Sequence, residues 1–145
     1  METVKISFDV ETSDIECPLG VEIRLGTTVL LKNNHVQDKI TFVHDIDDSN
    51  DGDYELQIVL SGKTSNHTIV DDAGKIIKDA TLSIQNFVID DIDVSQIFRQ
   101  KCVYSHNFNG TQPEIQDTFH GVVGCNGIIS FKFSTPFYMW LLENM

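Results

Sequence analysis

Apolar and polar residues take turns along much of this chain. Val4, Ile6, Phe8 and Val10 alternate with Thr3, Lys5, Ser7 and Asp9. A period of two sends successive side chains to opposite faces, which predicts a strand with one buried and one wetted face. Val21, Ile23 and Leu25 repeat the pattern, and Thr27 to Leu31 resumes it after Gly26. Ile40, Phe42, His44 and Ile46 form a further row. Tyr54, Leu56, Ile58 and Leu60 form the next, with Glu55, Gln57 and Val59 opposite. His67 to Val70 and Lys75 to Lys78 flank Asp71-Asp72-Ala73-Gly74, whose Asp and Gly residues supply the backbone angles of a tight hairpin turn. Ala80, Leu82, Ile84 and Val88 predict a longer strand, Lys101 to Asn107 a short one, and Ile129, Phe131 and Phe133 a last alternating one. Between them, Asp91 to Gln100 is the one helical pattern, with Ser95 as a late cap and Ile92, Ile97 and Phe98 toward the core.

The segment Pro136 to Met145 differs, being nearly all apolar. Read as a strand, it sends Phe137, Met139 and Leu141 one way and Tyr138, Trp140 and Leu142 the other. A strand apolar on both faces is either central in a sandwich or covered by a partner. Phe137, Tyr138, Met139, Trp140 and Leu141 are therefore the candidate interface.

Eight to ten strands at this spacing, with no linker and no repeat, predict a single all-β domain over 1–145, an antiparallel β-sandwich of the jelly-roll type. Composition agrees. Among 145 residues there are 16 Ile, 13 Val and 11 Thr but only 2 Ala. β-branched side chains suit a pleated sheet and crowd a helix. Ten basic against 22 acidic residues give a net charge of −12, which leaves no basic stripe for phosphates and excludes a nucleic-acid partner. No run reaches the ~20 apolar residues of a membrane span. The opening METVKISFDVETSD has no apolar signal core, so secretion by signal peptide is not expected. Three cysteines, Cys17, Cys102 and Cys125, make a disulfide framework unexpected.

Eleven of the 15 aspartates lie between Asp45 and Asp93. Asp45, Asp47, Asp51 and Asp53 are the candidate metal ligands, because Ca²⁺ takes six to eight oxygens and a looped acidic run can converge on it. The bland reading of the same loop is a wet strand connection satisfied by its own Asp, Asn and Gly residues. Asp71-Asp72 and the Asp90-Asp91-x-Asp93 run are secondary clusters, with hairpin and helix-start chemistry as their ordinary roles. Cys102 with His106 and His120 with Cys125 could supply soft ligands to Zn²⁺, although Cys102 serves equally as a small buried residue. Tyr104, His106 and Trp140 are the candidate glycan-binding residues, since sugar C–H faces pack on aromatic rings while carboxylates take the hydroxyls. The ordinary role of such rings is core or interface packing. There is no G-x-S-x-G, no P-loop and no H-E-x-x-H, so no catalytic residue is assigned and a non-enzymatic protein is expected.

Two resemblances follow from these segments. Val21-Glu-Ile-Arg-Leu, Ile40 to Asp47, Gly52-Asp-Tyr-Glu-Leu-Gln-Ile-Val-Leu and Ala80 to Asp93 resemble the calcium-dependent, xylan-binding type of carbohydrate-binding module. Ile89-Asp90-Asp91-Ile92-Asp93-Val94 fills that family's later strand end, whereas its Asn-Asp loop is replaced here by Ser61-Gly62-Lys63-Thr64-Ser65-Asn66. That resemblance implies a small jelly roll, bound Ca²⁺ and a glycan ligand. His106-Asn-Phe-Asn-Gly, Gly124-Cys-Asn-Gly and Phe133-Ser-Thr-Pro-Phe-Tyr-Met-Trp-Leu-Leu-Glu-Asn-Met resemble small proteins of tailed marine bacteriophages. That one implies a virion component, a capsid decoration or tail-associated protein assembled in the host cytoplasm. Its partners would be other virion proteins or further copies of itself, and a host surface glycan in the combined picture.

Overall fold

The computed structural model describes residues 3–13, 19–37, 39–48, 51–62, 68–70, 72–73, 76–79, 81–106, 113–119, 121–123 and 126–144. The alternating rows form strands as the period of two requires. They are β1 (Thr3–Thr12), β2 (Gly20–Leu25), β3 (Thr28–Asn33), β4 (Ile40–Asp47) and β5 (Gly52–Ser61). The hairpin β6 (Thr68–Val70) and β7 (Ile76–Asp79) follows, then β8 (Leu82–Ile89) and β9 (Ile92–Asp93). Helix α1 (Ser95–Lys101) leads to β10 (Val103–His106), β11 (Ile115–Thr118), β12 (Val122–Val123) and β13 (Gly127–Thr135). Helix α2 (Phe137–Asn144) ends the described chain. Neither helix is long and apolar enough to cross a membrane.

The expected all-β antiparallel sandwich is present. One sheet runs β12-β8-β1-β4, with β9 paired to β8, and the other runs β11-β10-β13-β5-β2-β3. Every strand pair among the described residues is antiparallel. Val4, Ile6, Phe8 and Val10 of β1 face Leu56, Ile58 and Leu60 of β5 and Ile129, Phe131 and Phe133 of β13 in one core. Aromatic rings bridge the layers. Phe87 stacks on Phe8 at 5.2 Å and on Phe98 of α1 at 4.0 Å, while Phe131 of the other sheet meets both Phe87 and Phe98 edge-on. Offset and edge-to-face pairs add attraction beyond simple burial.

Three local readings change. In β8, Val88 was expected to continue the inward row of Leu82 and Ile84, but Phe87 and Ile89 are buried instead. Between Ser7–Val88 and Asp9–Gln85 the register slips, so β8 carries one extra residue against β1. The extra residue is accommodated at Asn86, with φ of 56°, in the left-handed region that Asn tolerates. Its amide donates to Asp9 Oδ2 at 2.8 Å, and the Thr41 hydroxyl donates to Asp9 Oδ1 at 2.8 Å. One carboxylate thus ties β4, β1 and β8 together beside the bulge. Second, Asp90 and Asp91 do not begin the helix. Both have positive φ, and they turn β8 into β9 as a two-residue hairpin loop. The helix starts later, at Ser95, whose N–H donates to Asp93 Oδ1 at 2.9 Å. Ser95 Oγ itself bonds back to β8, accepting the Phe87 N–H at 3.0 Å. Phe98 is buried and Ile97 packs against the core, but Ile92 lies on the surface.

Third, the C-terminal segment is a helix, not a strand. FYMWLLEN contains no β-branched residue, and Met, Leu and Glu are good helix formers. The burial follows a helical spacing, with Phe137 and Leu141 four apart and both buried.

Two predictions follow from this packing. At Gly127 a Cβ would lie 2.4 Å from the Ser105 carbonyl oxygen and 2.9 Å from His106 Cβ. Backbone cannot yield at a central strand, so Gly127→Ala should lower unfolding free energy by about 2 kcal/mol or more, read as a shift in urea midpoint. The Asn86 and Thr41 hydrogen bonds hold Asp9 below its ordinary carboxylate value of 3.8. Its contribution is therefore complete above that value and lost as pH falls through the lowered folded value. Asp9→Asn should flatten the acid limb of the stability curve, and an equally steep limb in the variant would refute this assignment.

Candidate functional site

The acidic loop between β4 and β5 divides its residues between two roles. Asp45 and Asp47 point outward from β4, and Asp51 and Asp53 are exposed on the other side of the loop. Ser49 and Asn50, between them, lie outside the described residues. Asp48 is the exception, 7% exposed. Its Oδ1 accepts the N–H of Phe137 at 2.7 Å. Phe137 is the first residue of α2, and the first four N–H groups of any helix lack an internal partner. A carboxylate from elsewhere in the chain thus caps α2, as a side chain at the helix start ordinarily does. At the other end, Asn144 Nδ2 donates to the Trp140 carbonyl at 2.7 Å.

Part of the second acidic cluster reaches the same end of the sandwich. The Tyr138 hydroxyl donates a short hydrogen bond to Asp90 Oδ2. This bond, with the charges of Asp90, Asp48 and Asp91 nearby, pushes the phenol above its ordinary value. Among the described residues no three His, Cys, Asp or Glu side chains come together in a way that could hold a metal ion.

The aromatic candidates separate. Tyr104 and His106 stack on each other at 4.5 Å but face inward from β10, 8% and 7% exposed. The open face expected of them is not there, because the inward parity of β10 delivers both rings to the core. Cys102 is buried as well, which pushes its thiol above the ordinary range and disfavours the thiolate that zinc needs. His120, Cys125, Cys17 and Phe108 lie outside the described residues. Tyr138 and Trp140 do not share a face, since two helical positions are about 200° apart.

Trp140 is placed differently. Half-buried, it packs edge-on against Phe131 and Phe133 and stacks on Phe137 at 5.7 Å. Tyr54 stacks on the other partner of that group, Phe133, at 5.5 Å. Tyr54, Phe133 and Trp140, with Gly26, Asp53, Glu55, Lys132 and Ser134, line an open groove of about 640 Å³. Asp53 is the one metal candidate that enters it. Glu55 and Lys132 alternate with Tyr54 and Phe133 along β5 and β13, so their side chains belong to the outer face of the six-stranded sheet, opposite the rings. There Glu55 pairs in register with Lys132, and Gln57 with both Arg24 and Ser130. Glu55 gathers its neighbours: Ser130 Oγ donates to Oε2 at 2.8 Å, Gln57 Nε2 to Oε1 at 3.1 Å, and the Lys132 ammonium lies 4.0 Å from Oε2. Arg24 and Glu22 form an ion pair alongside. A second trough of about 370 Å³, lined in part by Ser105, Gln116 and Ser130, shares Glu55 and Lys132 with the first.

Tyr54, Glu55 and Lys132 were absent from the sequence-based candidates. The available signal was positional: Tyr54 closes a buried row beside exposed Asp53, and Glu55 and Lys132 occupy the outward positions of two alternating strands. Nothing in one sequence says that those two strands are neighbours.

Comparison with family models, with curated proteins and with solved structures finds no match to the chain.

The two roles of the acidic loop are separable by mutation. Asp48→Ala should cost about 1–2 kcal/mol, since it strips the cap and leaves a buried N–H unpaired. Asp45→Ala should stay within about 0.5 kcal/mol, as expected for an exposed position. Chemical denaturation of both variants checks the contrast, and equal effects would contradict it.

Proposed function

We propose that this chain is a non-enzymatic structural protein of a bacteriophage particle, a capsid decoration or tail-associated β-sandwich that acts by protein–protein assembly. The observation that supports the reading most directly is the outer face of α2. Tyr138, Met139 and Leu142 are 44%, 58% and 72% exposed, and they fall on one side of the helix. Phe137 and Leu141, also among the interface candidates, are core residues and hold that face in place. The Tyr138 hydroxyl is held by Asp90, while Met139 and Leu142 leave apolar surface outward, and such faces mark contacts with other proteins.

Charge narrows the partner to one that meets this face without ion pairing. At −12, two copies of the chain repel one another over most of their surface. Among the outward residues of α2, only Glu143 is charged. A second copy is the occupant argued for: α2 against α2 buries the same patch from both sides, the arrangement of a two-fold dimer. The phage setting and the virion location rest on the resemblance of His106-Asn-Phe-Asn-Gly and the C-terminal segment to phage proteins.

The calcium-dependent carbohydrate-binding alternative draws on the groove, which Asp53 and Trp140 both line. Its other candidate ligands and rings, Asp45, Asp47, Asp51, Tyr104 and His106, do not line that groove.

Light scattering of the purified chain tests the assembly reading. The expected result is an oligomer that strengthens with added salt, because salt screens the repulsion and leaves the apolar contact. Met139→Ser with Leu142→Ser should return it to a folded monomer. A parent chain that stays monomeric across salt and concentration would sink the proposal.

A further inference from the structure

We infer that the outer edge of β4 is a second self-association contact, at which β4 of one copy pairs antiparallel with β4 of another across a two-fold axis through Val43. The inference starts from the sheet edges and stands apart from the α2 face. An edge strand presents N–H and C=O groups that are a template for another strand, and natural edges are blunted by shortness, bulges or charge. Among the described residues β9 and β12 are two residues long and β11 four, while β3 is broken by a register shift at Ile23–Arg24 and carries Lys32. β4 is neither short nor bulged. It has eight residues and pairs with β1 from Thr3–Asp47 to Val10–Ile40 without a shift, so its other side is an even row. No further strand pairs with β4 among the described residues.

The sequence of β4 complements itself in one register. Directly opposed residues of an antiparallel pair share a face, so a two-fold axis perpendicular to the sheet keeps inward side chains inward in both copies. Centred on Val43, the axis sets Ile40 opposite Ile46 and Phe42 opposite His44 on the inner face. Ile40 and His44 are half-buried in the single copy, and the second copy covers the surface they leave at the edge. The His44 ring stacks on Phe42 with centroids 6.3 Å apart, and the pairing sets that stack beside its counterpart. On the outer face Val43, 53% exposed, meets itself, and Thr41 meets Asp45.

Charge selects this partner and this register. Lys39 precedes the strand and Asp47 ends it, and both are exposed. Pairing about Val43 brings each Lys39 opposite the other copy's Asp47, which makes two oppositely charged pairs per contact. Lys5 of β1 stands in register with Asp45 and offsets that remaining carboxylate. An axis moved to Asp45 would set two carboxylates face to face, and an in-register parallel pairing would align every Asp with its copy; like charges directly opposite are destabilising. The contact is a modest one, because exposed ion pairs are weak and each copy carries a net charge of −12. It adds to the α2 contact: two different two-fold contacts on one chain link copies into a row or a ring instead of stopping at a pair.

Disulfide trapping reads the register directly. Opposed Cα atoms of an antiparallel pair lie about 4.5–5.5 Å apart, within the ~4.4–6.8 Å that a disulfide spans. The test uses the full chain with Cys17→Ser and Cys125→Ser, the buried Cys102 being retained. It also carries Met139→Ser and Leu142→Ser, so that α2 does not bring the copies together. Trapping accumulates a contact too short-lived for light scattering. Val43→Cys, at an exposed position, should give a cross-linked dimer under copper–phenanthroline. Asp45→Cys should cross-link at least about tenfold more slowly, since the two copies of residue 45 lie four residues, about 14 Å, apart along the strands. Lys39→Asp should slow the cross-link through residue 43 about fivefold, and adding Asp47→Lys should restore it. Thermal unfolding checks that each variant is folded. No dimer through residue 43, equal rates at 43 and 45, or a rate indifferent to Lys39→Asp would each overturn the inference, whatever light scattering shows for α2.

Discussion

The Asp48 carboxylate and the Phe137 N–H meet at 2.7 Å, buried, across 89 positions of sequence. A buried ionisable oxygen needs a partner, and so does the first amide of a helix. Each is satisfied by the other. The contact sets where α2 begins, and the helix has a single rotation that also buries Phe137 and Leu141. Once that rotation is set, Trp140 is directed toward Phe133, and Tyr138, Met139 and Leu142 are turned outward. The outward face of α2, the surface with a proposed assembly role, therefore depends on one hydrogen bond between the acidic loop and the chain's last described element.

The same end of the sandwich shows how an acidic run can be divided among ordinary tasks. Asp48 caps a helix, Asp90 and Asp91 make a turn, and Asp93 orders the first turn of α1. Asp48, Asp90 and Asp93 each use the acceptor strength of a carboxylate, and each is met by a donor from a different element. The aromatic core works in a parallel way. Phe87, Phe98 and Phe131 come from β8, α1 and β13, so the bridge between the two layers and the seat of α1 are one packing unit.

Much of the architecture was legible from the period of two alone. β1, β4, β5 and β13 carry uninterrupted alternation, and their buried rows are the ones the pattern names. The errors have physical causes. A bulge at Asn86 adds one residue, which inverts the parity of everything after it, and no local pattern marks where the count changes. The last segment is apolar in every direction, so periodicity was silent. Its lack of β-branched residues was the usable signal. Tyr104 and His106 share a strand face, as their spacing required, but spacing cannot say which face looks inward. The groove was the least legible feature. It needs β5 beside β13 and α2 folded over their end, and those are long-range facts.

Glu55 has one further consequence. Because it anchors Ser130, Gln57 and Lys132 on two strands, a change there is felt by the sheet as well as by anything lying on it. The rim is under no such constraint. Gly26 sits at the tight β2–β3 connection, with open space where a side chain would begin, and Asp53 is exposed near the start of β5. Substitution at such positions can therefore proceed while the Glu55 network keeps β5 and β13 in register, so the outer surface of this sheet and its interior answer to separate constraints.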